Sequence, residues 1–340
     1  MSPASTEQFL LEQYTGHPAS QLQDLRKALY QSVFGCGHLI TDTSAAAEGI
    51  RREAAEAGPC SREIEALDGP WSRVQLGVLA DGLTPETLSR MFARSAAMSH
   101  GDADALQEKL TVLRRLIRSG ALPYSPAEAD AELDDWRKNG FPVCRHSEEY
   151  RAAYRPAYRV LHRTYVRLLP LLAAIDQALA ENPRVLLAIE GGAASGKSTL
   201  ADLLTAIYPD TALFHADDFF LRPEQRTAAR YAQPGGNLDR ERLESEILIP
   251  ISRNKAAVYR PFNCRTLSLR EPVTVLPGRL NIVEGSYSFH PELARYYDLS
   301  VFLDISPETQ RSRILKRNGP EWGQQFFDRW IPLEQIYFHE

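Results

Sequence analysis

Eight residues in the second half of the chain have the types and spacing of a chemical site. Gly191 to Ser198 reads GGAASGKS, which fits the pattern G-x-x-x-x-G-K-[ST]. Glycines in such a loop let the backbone curl so that successive N–H groups point inward and bind an anion. The pattern therefore predicts a phosphate-binding loop, in which Lys197 reaches the β- and γ-phosphates of a nucleotide and the Ser198 hydroxyl binds Mg²⁺.

The residues on either side of this loop favour the same interpretation. Val185 to Ile189 is a short apolar run that predicts a buried parallel strand, and Leu200, Leu204 and Ile207 have helical spacing. A glycine-rich turn that only links a strand to a helix is the alternative. The predicted nucleotide-binding residues of the loop are Gly191, Gly192, Ala193, Ala194, Ser195, Gly196, Lys197, Ser198 and Thr199.

Acidic residues follow two later apolar runs. The run 211–216 (TALFHA) predicts a strand that ends in Asp217 and Asp218, and 280–283 (LNIV) predicts a strand that ends in Glu284. Ligands bind at the carboxyl ends of strands in α/β sheets, so Asp217 is a candidate base for a substrate hydroxyl. Glu284 is a candidate Mg²⁺ ligand in the Walker B position, where Asp is usual. Helix capping is the alternative role, above all for Asp218.

Other polar residues in this half have two open interpretations. Asp239 ends the Pro/Gly-rich loop 231–239 and either caps a helix or holds a polyhydroxylated substrate. Arg260 and Arg265 lie in a turn-rich segment and either bind substrate or pair with acids. A strand at 299–305 precedes a helix that starts at Ser306-Pro307-Glu308, and its cations either form a lid over phosphates or a solvated face. These cations are Arg311, Arg313, Lys316 and Arg317.

The elements that must position these side chains alternate between strand and helix. This alternation predicts an α/β domain with a doubly wound, mostly parallel sheet over 181–340. Residues 1–180 are predicted to form a mainly α-helical domain of unknown role, with helix starts at Thr84-Pro85 and Ser125-Pro126. The boundary is placed at Asn182-Pro183, because proline stops a helix.

Two features of the first domain invite a chemical interpretation. Cys36 and His38 form a possible thiol–imidazole pair, although a glycine-rich helix end with a buried cysteine is favoured. Arginines recur every fourth residue from Arg151 to Arg167, beside a stripe of tyrosine and leucine. This spacing predicts one long amphipathic helix from about Pro156, whose arginines face solvent, another domain or an anionic site.

Bulk properties exclude several classes of protein. With 340 residues, 44% hydrophobic and 24% charged, the composition is that of a globular protein. A net charge of −5 gives no basic footprint for nucleic acid. Four scattered cysteines, no apparent signal peptide and no long apolar run favour a cytoplasmic protein without a membrane span. Homo-oligomerisation is left open.

Taken in order, six segments of residues 184 to 335 resemble the uridine kinase/phosphoribulokinase family of P-loop kinases. The segments are GGAASGKST, ADDFF, GGNLDRERL, CRTL, IVEGSYSF and QRSRILKR, and ADDFF is similar to nicotinamide riboside kinases. The resemblance implies a kinase that uses ATP and Mg²⁺ and phosphorylates a hydroxyl, with a nucleoside favoured. Acceptors of nicotinamide riboside, ribulose phosphate or pantothenate type are alternatives.

The resemblance also implies roles for single residues. Asp217 is the general base, Asp239 holds ribose hydroxyls with Leu238 where the family has phenylalanine, and Glu284 assists the metal and the substrate. Lys197 and the lid arginines Arg313 and Arg317 are implied in catalysis, and Arg311 in nucleotide binding. Tyr287, in the segment IVEGSYSF, is a candidate for substrate binding, and so are Arg260 and Arg265 on their residue types alone. The segment with Arg260 and Arg265 departs from the base-binding loop of nucleoside kinases, which puts the nucleobase in doubt.

Two readings from other classes remain. The first is a nucleotide-driven switch, in which ATP hydrolysis needs no acceptor. Guanine specificity is not expected, because Asn254-Lys255 is followed by Ala256-Ala257 and lacks the aspartate of N-K-x-D. The second is a bifunctional protein in which the first domain acts separately through Cys36 and His38.

Overall fold

The computed structural model describes residues 5–36, 43–57 and 61–339. The chain divides into two compact units, Met1–Asp176 and Gln177–Glu340. The division falls inside the helix Leu169–Glu181, whereas the sequence places the boundary just after that helix.

The described part of the first unit is built of helices and one small sheet. Its helices are α1 (Thr6–Gly16), α2 (Leu22–Phe34), α3 (Thr43–Ala57), α4 (Pro85–Ala97), α5 (Ala103–Arg118), α6 (Pro126–Lys138), α7 (Glu148–Tyr154), α8 (Arg163–Val166) and α9 (Leu169–Glu181), which runs across the division. Strands β1 (Ile64–Ala66), β2 (Trp71–Gln75) and β3 (Tyr158–His162) form an antiparallel sheet in the order β1–β2–β3.

Local signals account for the helices that the sequence predicts. Thr84 caps α4 by accepting a hydrogen bond from the Thr87 amide, and Pro85 takes the first helical position. Ser125 caps α6 in the same way, with Pro126 next. Both predicted helix starts are confirmed.

The prediction of one long helix from about Pro156 is wrong. Helix α7 ends at Tyr154, the capping residue Arg155 adopts a left-handed conformation (φ +43°), and β3 begins at Tyr158. This strand pairs with β2, and the adjacent residues Val160 and Leu161 are both buried. Pairing with β2 and burial on both faces therefore outweigh the four-residue spacing of the arginines.

A buried polar network joins α2 to this sheet. Asp24 accepts a hydrogen bond from Nδ1 of His146 (2.7 Å), whose Nε2 accepts from the Tyr158 hydroxyl (2.6 Å). The Arg73 guanidinium, 1% exposed, lies over the Tyr158 ring and donates to Gln31 (2.9 Å). Burial lowers the pKa of His146 to about 4, so its imidazole is neutral at pH 7.

Cys36 lies in the core of the first unit. Its side chain is fully buried, and burial raises the pKa of the thiol to about 12. A thiolate is therefore not populated at neutral pH, which agrees with a structural cysteine. The proposed partner, His38, lies outside the described residues.

The second unit is an α/β fold. Its helices are α10 (Lys197–Ile207), α11 (Ala228–Tyr231), α12 (Arg240–Leu243), α13 (Ile249–Ser252), α14 (Pro307–Gln325) and α15 (Ile331–Phe338). Its strands are β4 (Val185–Gly191), β5 (Thr211–His215), β6 (Ala257–Tyr259), β7 (Phe262–Asn263), β8 (Ser268–Leu269), β9 (Val273–Val275), β10 (Leu280–Glu284) and β11 (Leu299–Leu303). Helix α14 is broken at Gly319 (φ +75°), just before Pro320.

Four of these strands form a parallel sheet in the order β11–β4–β10–β5. All four were predicted, and their existence is confirmed. The chain crosses from β4 to β5 in one direction and returns to β10 and β11 in the other. Because such crossovers are right-handed, connections in opposite directions lie on opposite faces of the sheet. In the part of the chain that the structure describes, no helix combines the length and apolarity needed to cross a bilayer.

Candidate phosphate-binding site

The loop between β4 and α10 has the backbone of an anion-binding turn. Gly191 (φ +145°), Ala194 (φ +59°) and Gly196 (φ +108°) have positive φ, and α10 begins directly afterwards at Lys197. A Cβ atom on Gly191 would lie 2.5 Å from the Leu303 carbonyl oxygen of the neighbouring strand. The predicted sequence of strand, loop and helix is thus present, and the free N–H groups at the start of α10 face the loop.

Lys197 and Ser195 supply polar side chains to this loop. The Lys197 ammonium donates hydrogen bonds to the carbonyl oxygens of Gly191 (2.8 Å) and Gly192 (3.0 Å). The Ser195 hydroxyl is buried without a hydrogen-bond partner among the described residues. An unpaired buried hydroxyl is unfavourable, so a ligand oxygen in the loop would satisfy it. The loop therefore fits a phosphate group.

Ser198 and Glu284 meet beside the loop. Glu284 ends β10, where its register partners are Ile189 on β4 and His215 on β5. Its Oε1 accepts hydrogen bonds from the Ser198 hydroxyl (3.1 Å) and from Nδ1 of His215 (2.6 Å), which raises the pKa of His215. His215 was not predicted. Its signal is its position as the last residue of a strand next to β10.

The donor set beside the loop suits Mg²⁺ rather than a metal held by protein alone. Among the described residues, no group of three or more His, Cys, Asp or Glu side chains is arranged to hold a metal ion. Mg²⁺ takes oxygen ligands, keeps several waters and is completed by substrate phosphates. The Ser198 hydroxyl and the Glu284 carboxylate fit that kind of coordination.

Asp217 lies in a short 3₁₀ turn, Ala216–Phe219, directly after β5. Its side chain is exposed to solvent, but many protein atoms surround the carboxyl group. This desolvation, followed by the charge of Glu284, raises the pKa of Asp217. Asp218 lies inside the turn, whose cap position is His215, so the alternative of Asp218 as a helix N-cap is wrong.

Both carboxylate oxygens of Asp239 accept hydrogen bonds from neighbouring residues. It is 1% exposed and caps α12, with Oδ1 accepting from the Arg242 amide (3.2 Å) and Oδ2 from the Gln225 side chain (2.8 Å). Of the two roles left open by the sequence, capping is the one present here. A substrate hydroxyl at this position would have to share or replace the Gln225 contact.

The predicted lid arginines separate into two groups. Arg313 donates hydrogen bonds to the carbonyl oxygens of Ala194 (3.0 Å) and Ser195 (3.3 Å), so it lies against the phosphate loop. The guanidinium groups of Arg311 and Arg317 lie over aromatic rings of the segment 326–330, at 4.4 and 5.6 Å from the ring centroids.

The other predicted substrate contacts have local partners. The Arg260 side chain donates to the carbonyl oxygen of Arg270 (2.7 Å), and Arg265 is exposed in the turn after β7. Tyr287 is buried and has positive φ (+70°), with its ring packed edge-on against Tyr337.

Two acids close to the loop carry no recognisable signal in the sequence. Glu190, 5% exposed, accepts hydrogen bonds from the amides of Gly191, Tyr287 and Phe289 at 2.9 to 3.0 Å. Glu334 of α15, 4% exposed, accepts from the Ala193 amide at 2.9 and 3.1 Å. Burial raises the pKa of both carboxyl groups.

Strand order and loop geometry together define the second unit as an α/β fold whose loop between β4 and α10 has an anion-binding backbone conformation. No family model matches the chain, and no curated protein matches it. Among solved structures, one similar chain is described as the structure of a possible uridine kinase from Bacillus stearothermophilus. The two chains share 20% identity at a TM-score of 0.37, over 50% of this chain and 92% of that one.

Proposed function

We propose that the second unit is an ATP-dependent kinase that transfers the γ-phosphoryl group to a hydroxyl of a small molecule, with a nucleoside as the favoured acceptor. One observation carries the proposal: Ser198, at the end of the phosphate loop, and Glu284, at the end of the adjacent strand, meet at 3.1 Å. Asp217 follows the next strand of the same sheet. The residues that we assign to the phosphates, the metal and the acceptor therefore follow neighbouring strands at one edge of the sheet, which supports the proposal.

The loop supplies binding and charge neutralisation. Its amides and the ammonium of Lys197 would hold the phosphates, since a triphosphate in the loop offers stronger acceptors than the carbonyl oxygens that Lys197 now contacts. Ser198 and Glu284 would hold Mg²⁺. When bound there, Mg²⁺ would neutralise negative charge that develops on the phosphates during transfer.

Asp217 would orient the acceptor and take its proton. Its raised pKa makes it a better proton acceptor than an ordinary aspartate, while its exposure leaves room for a substrate hydroxyl. Arg313, already on the loop, would add positive charge as the phosphoryl group moves.

Transfer of ³²P from γ-labelled ATP to a panel of ribonucleosides, sugar alcohols and vitamin alcohols tests the proposal. We expect acceptor-dependent product with the wild type and a loss on the order of 10²- to 10⁴-fold in kcat with Asp217→Asn, because a general base contributes that much. Asp218→Asn, the adjacent acid, is the matched control and should retain activity. ATP turnover that is equal with and without every acceptor would favour a nucleotide-driven switch instead.

A further inference from the structure

We propose that α15 is an autoinhibitory plug, in which the Glu334 carboxylate takes the place of a phosphate in the loop and must leave before a nucleotide binds. The inference rests on the proposed function and names a regulation of the same site. Three observations support it: the position of Glu334, the contacts that hold α15 in place, and the negative charge that the Glu334 carboxylate shares with a phosphate.

Glu334 lies in the anion site itself. Both of its carboxylate oxygens are within hydrogen-bond distance of the Ala193 amide, at 2.9 and 3.1 Å. The Ser286 hydroxyl donates to the same carboxylate at 2.8 Å. Ala193 belongs to the loop, and its amide is one of the donors that would face a phosphate. The loop therefore binds this carboxylate with a donor that it would use for a phosphate.

Gly192 lies beside both helices at this point of the loop. A Cβ atom there would lie 3.4 Å from Oε2 of Glu334, which is ordinary van der Waals contact, and 3.0 Å from Nε2 of Gln310, which is tighter. Gln310 in turn donates to the carbonyl oxygen of Ala193 (3.0 Å). The loop thus receives α15 and α14 on the same short stretch of backbone.

Aromatic contacts hold α15 in this position. The Tyr337 hydroxyl donates to Glu190 (3.1 Å), and its ring packs edge-on against Tyr287 at 4.9 Å. Phe338 packs against Phe302 of β11, also at 4.9 Å between ring centroids. These contacts lie one turn beyond Glu334, so the helix is anchored independently of the carboxylate.

A phosphate and Glu334 cannot occupy the loop together. Both are anions, and both need the Ala193 amide as a donor, so simultaneous binding would set like charges side by side in a partly desolvated site. The apparent affinity for a nucleotide is then reduced by the fraction of molecules in which the plug is open. If one molecule in about ten is open, the apparent Kd rises roughly tenfold.

Calorimetry on the full chain with Mg-ATP and with magnesium tripolyphosphate tests this competition. We expect Glu334→Ala to bind both probes at least about tenfold more tightly than the wild type. The Kd of Glu334→Gln should lie between those of the wild type and Glu334→Ala, because its amide oxygen still accepts a hydrogen bond but carries no charge. Glu321→Gln, an exposed glutamate of α14, is the matched control and should leave the Kd unchanged.

Equal or weaker binding by both Glu334 variants would overturn the plug while leaving the proposed function intact. No binding of either probe to any variant would overturn the proposed function itself. A second measurement needs no variant: hydrogen exchange of 331–338 in the wild type should speed up when Mg-ATP is added. Slower exchange, or unchanged exchange at saturating nucleotide, would show that α15 stays in place and contradict the plug.

Discussion

The Ser198 hydroxyl lies 3.1 Å from Oε1 of Glu284, although the two residues are 86 positions apart in the chain. Ser198 lies in the first turn of the helix after the loop, and Glu284 ends a neighbouring strand. If this pair holds Mg²⁺, we expect Ser198→Ala and Glu284→Gln each to raise the Mg²⁺ concentration for half-maximal activity by about tenfold or more, since each removes an oxygen ligand. Titration of activity with Mg²⁺ at fixed ATP measures the change.

Glu308→Gln is a suitable control for this titration, because Glu308 is an exposed acid in the first turn of α14. An unchanged Mg²⁺ requirement in both site variants would remove Ser198 and Glu284 from the metal site.

Lys197 should matter for nucleotide binding rather than for folding. Its ammonium now contacts two loop carbonyl oxygens, and the charge-assisted bonds to phosphate that would replace these contacts are stronger. We expect Lys197→Ala to weaken Mg-ATP binding by about one to two orders of magnitude, as measured by calorimetry. The control is Lys255→Ala, an exposed lysine of the same unit. Equal Kd values for the two variants would contradict the assignment.

The two groups of lid arginines should separate in kinetics. Arg313 contacts the loop, whereas Arg311 lies over the Phe327 ring. We therefore expect Arg313→Ala to lower kcat on the order of 10²-fold, the usual loss of one charge-stabilising donor. Arg311→Ala should lower kcat much less. Steady-state rates at saturating ATP decide the order, and a larger loss in Arg311→Ala would reverse the assignment.

The His146 network should make stability depend on pH. The pKa of buried His146 is lowered to about 4 from an ordinary value of 6.5, so the unfolded chain binds a proton in this window and the folded chain does not. The free energy of unfolding should therefore fall as the pH falls from about 6.5 to 4, with a contribution of roughly 3 kcal/mol from this group.

Urea denaturation at several pH values measures this contribution as a difference between variants. His146→Gln should make the slope between pH 6.5 and 4 shallower, and His100→Gln, a change at an exposed histidine, should leave it unchanged. Identical slopes in the two variants would show that folding does not change the pKa of His146.

The sequence predicts the fold of the second unit more completely than that of the first. Strands such as Val185–Gly191 and Leu280–Glu284 are mostly apolar, since both of their faces are buried, and the glycine pattern predicts the loop between β4 and α10. In the first unit, β1 has only three residues, and β3 lies in a segment whose arginines recur every fourth residue, which is a helical spacing. Short edge and half-polar strands are decided by their partners, which a local pattern does not contain.

The same limit applies to the site. Gly191 to Ser198 and Glu284 were found because each lies in or next to an apolar strand with a recognisable ending. The contact from Ala193 to Glu334 spans 141 positions, and that from Tyr287 to Glu190 spans 97. Sequence motifs are recognised by short, regular spacings between residues. An acid that contacts a backbone amide so far away in the chain belongs to no such motif.

Glu190 has a consequence for how the site is assembled. Its single carboxylate binds the amide that opens the phosphate loop and two amides that follow Glu284 in the chain. The backbone on both sides of the Ser198–Glu284 pair is therefore fastened to one buried group, and the spacing of the two oxygens is set when the chain folds. If the pair binds Mg²⁺, the ion would meet donors that are already positioned, so less freedom would be lost on binding.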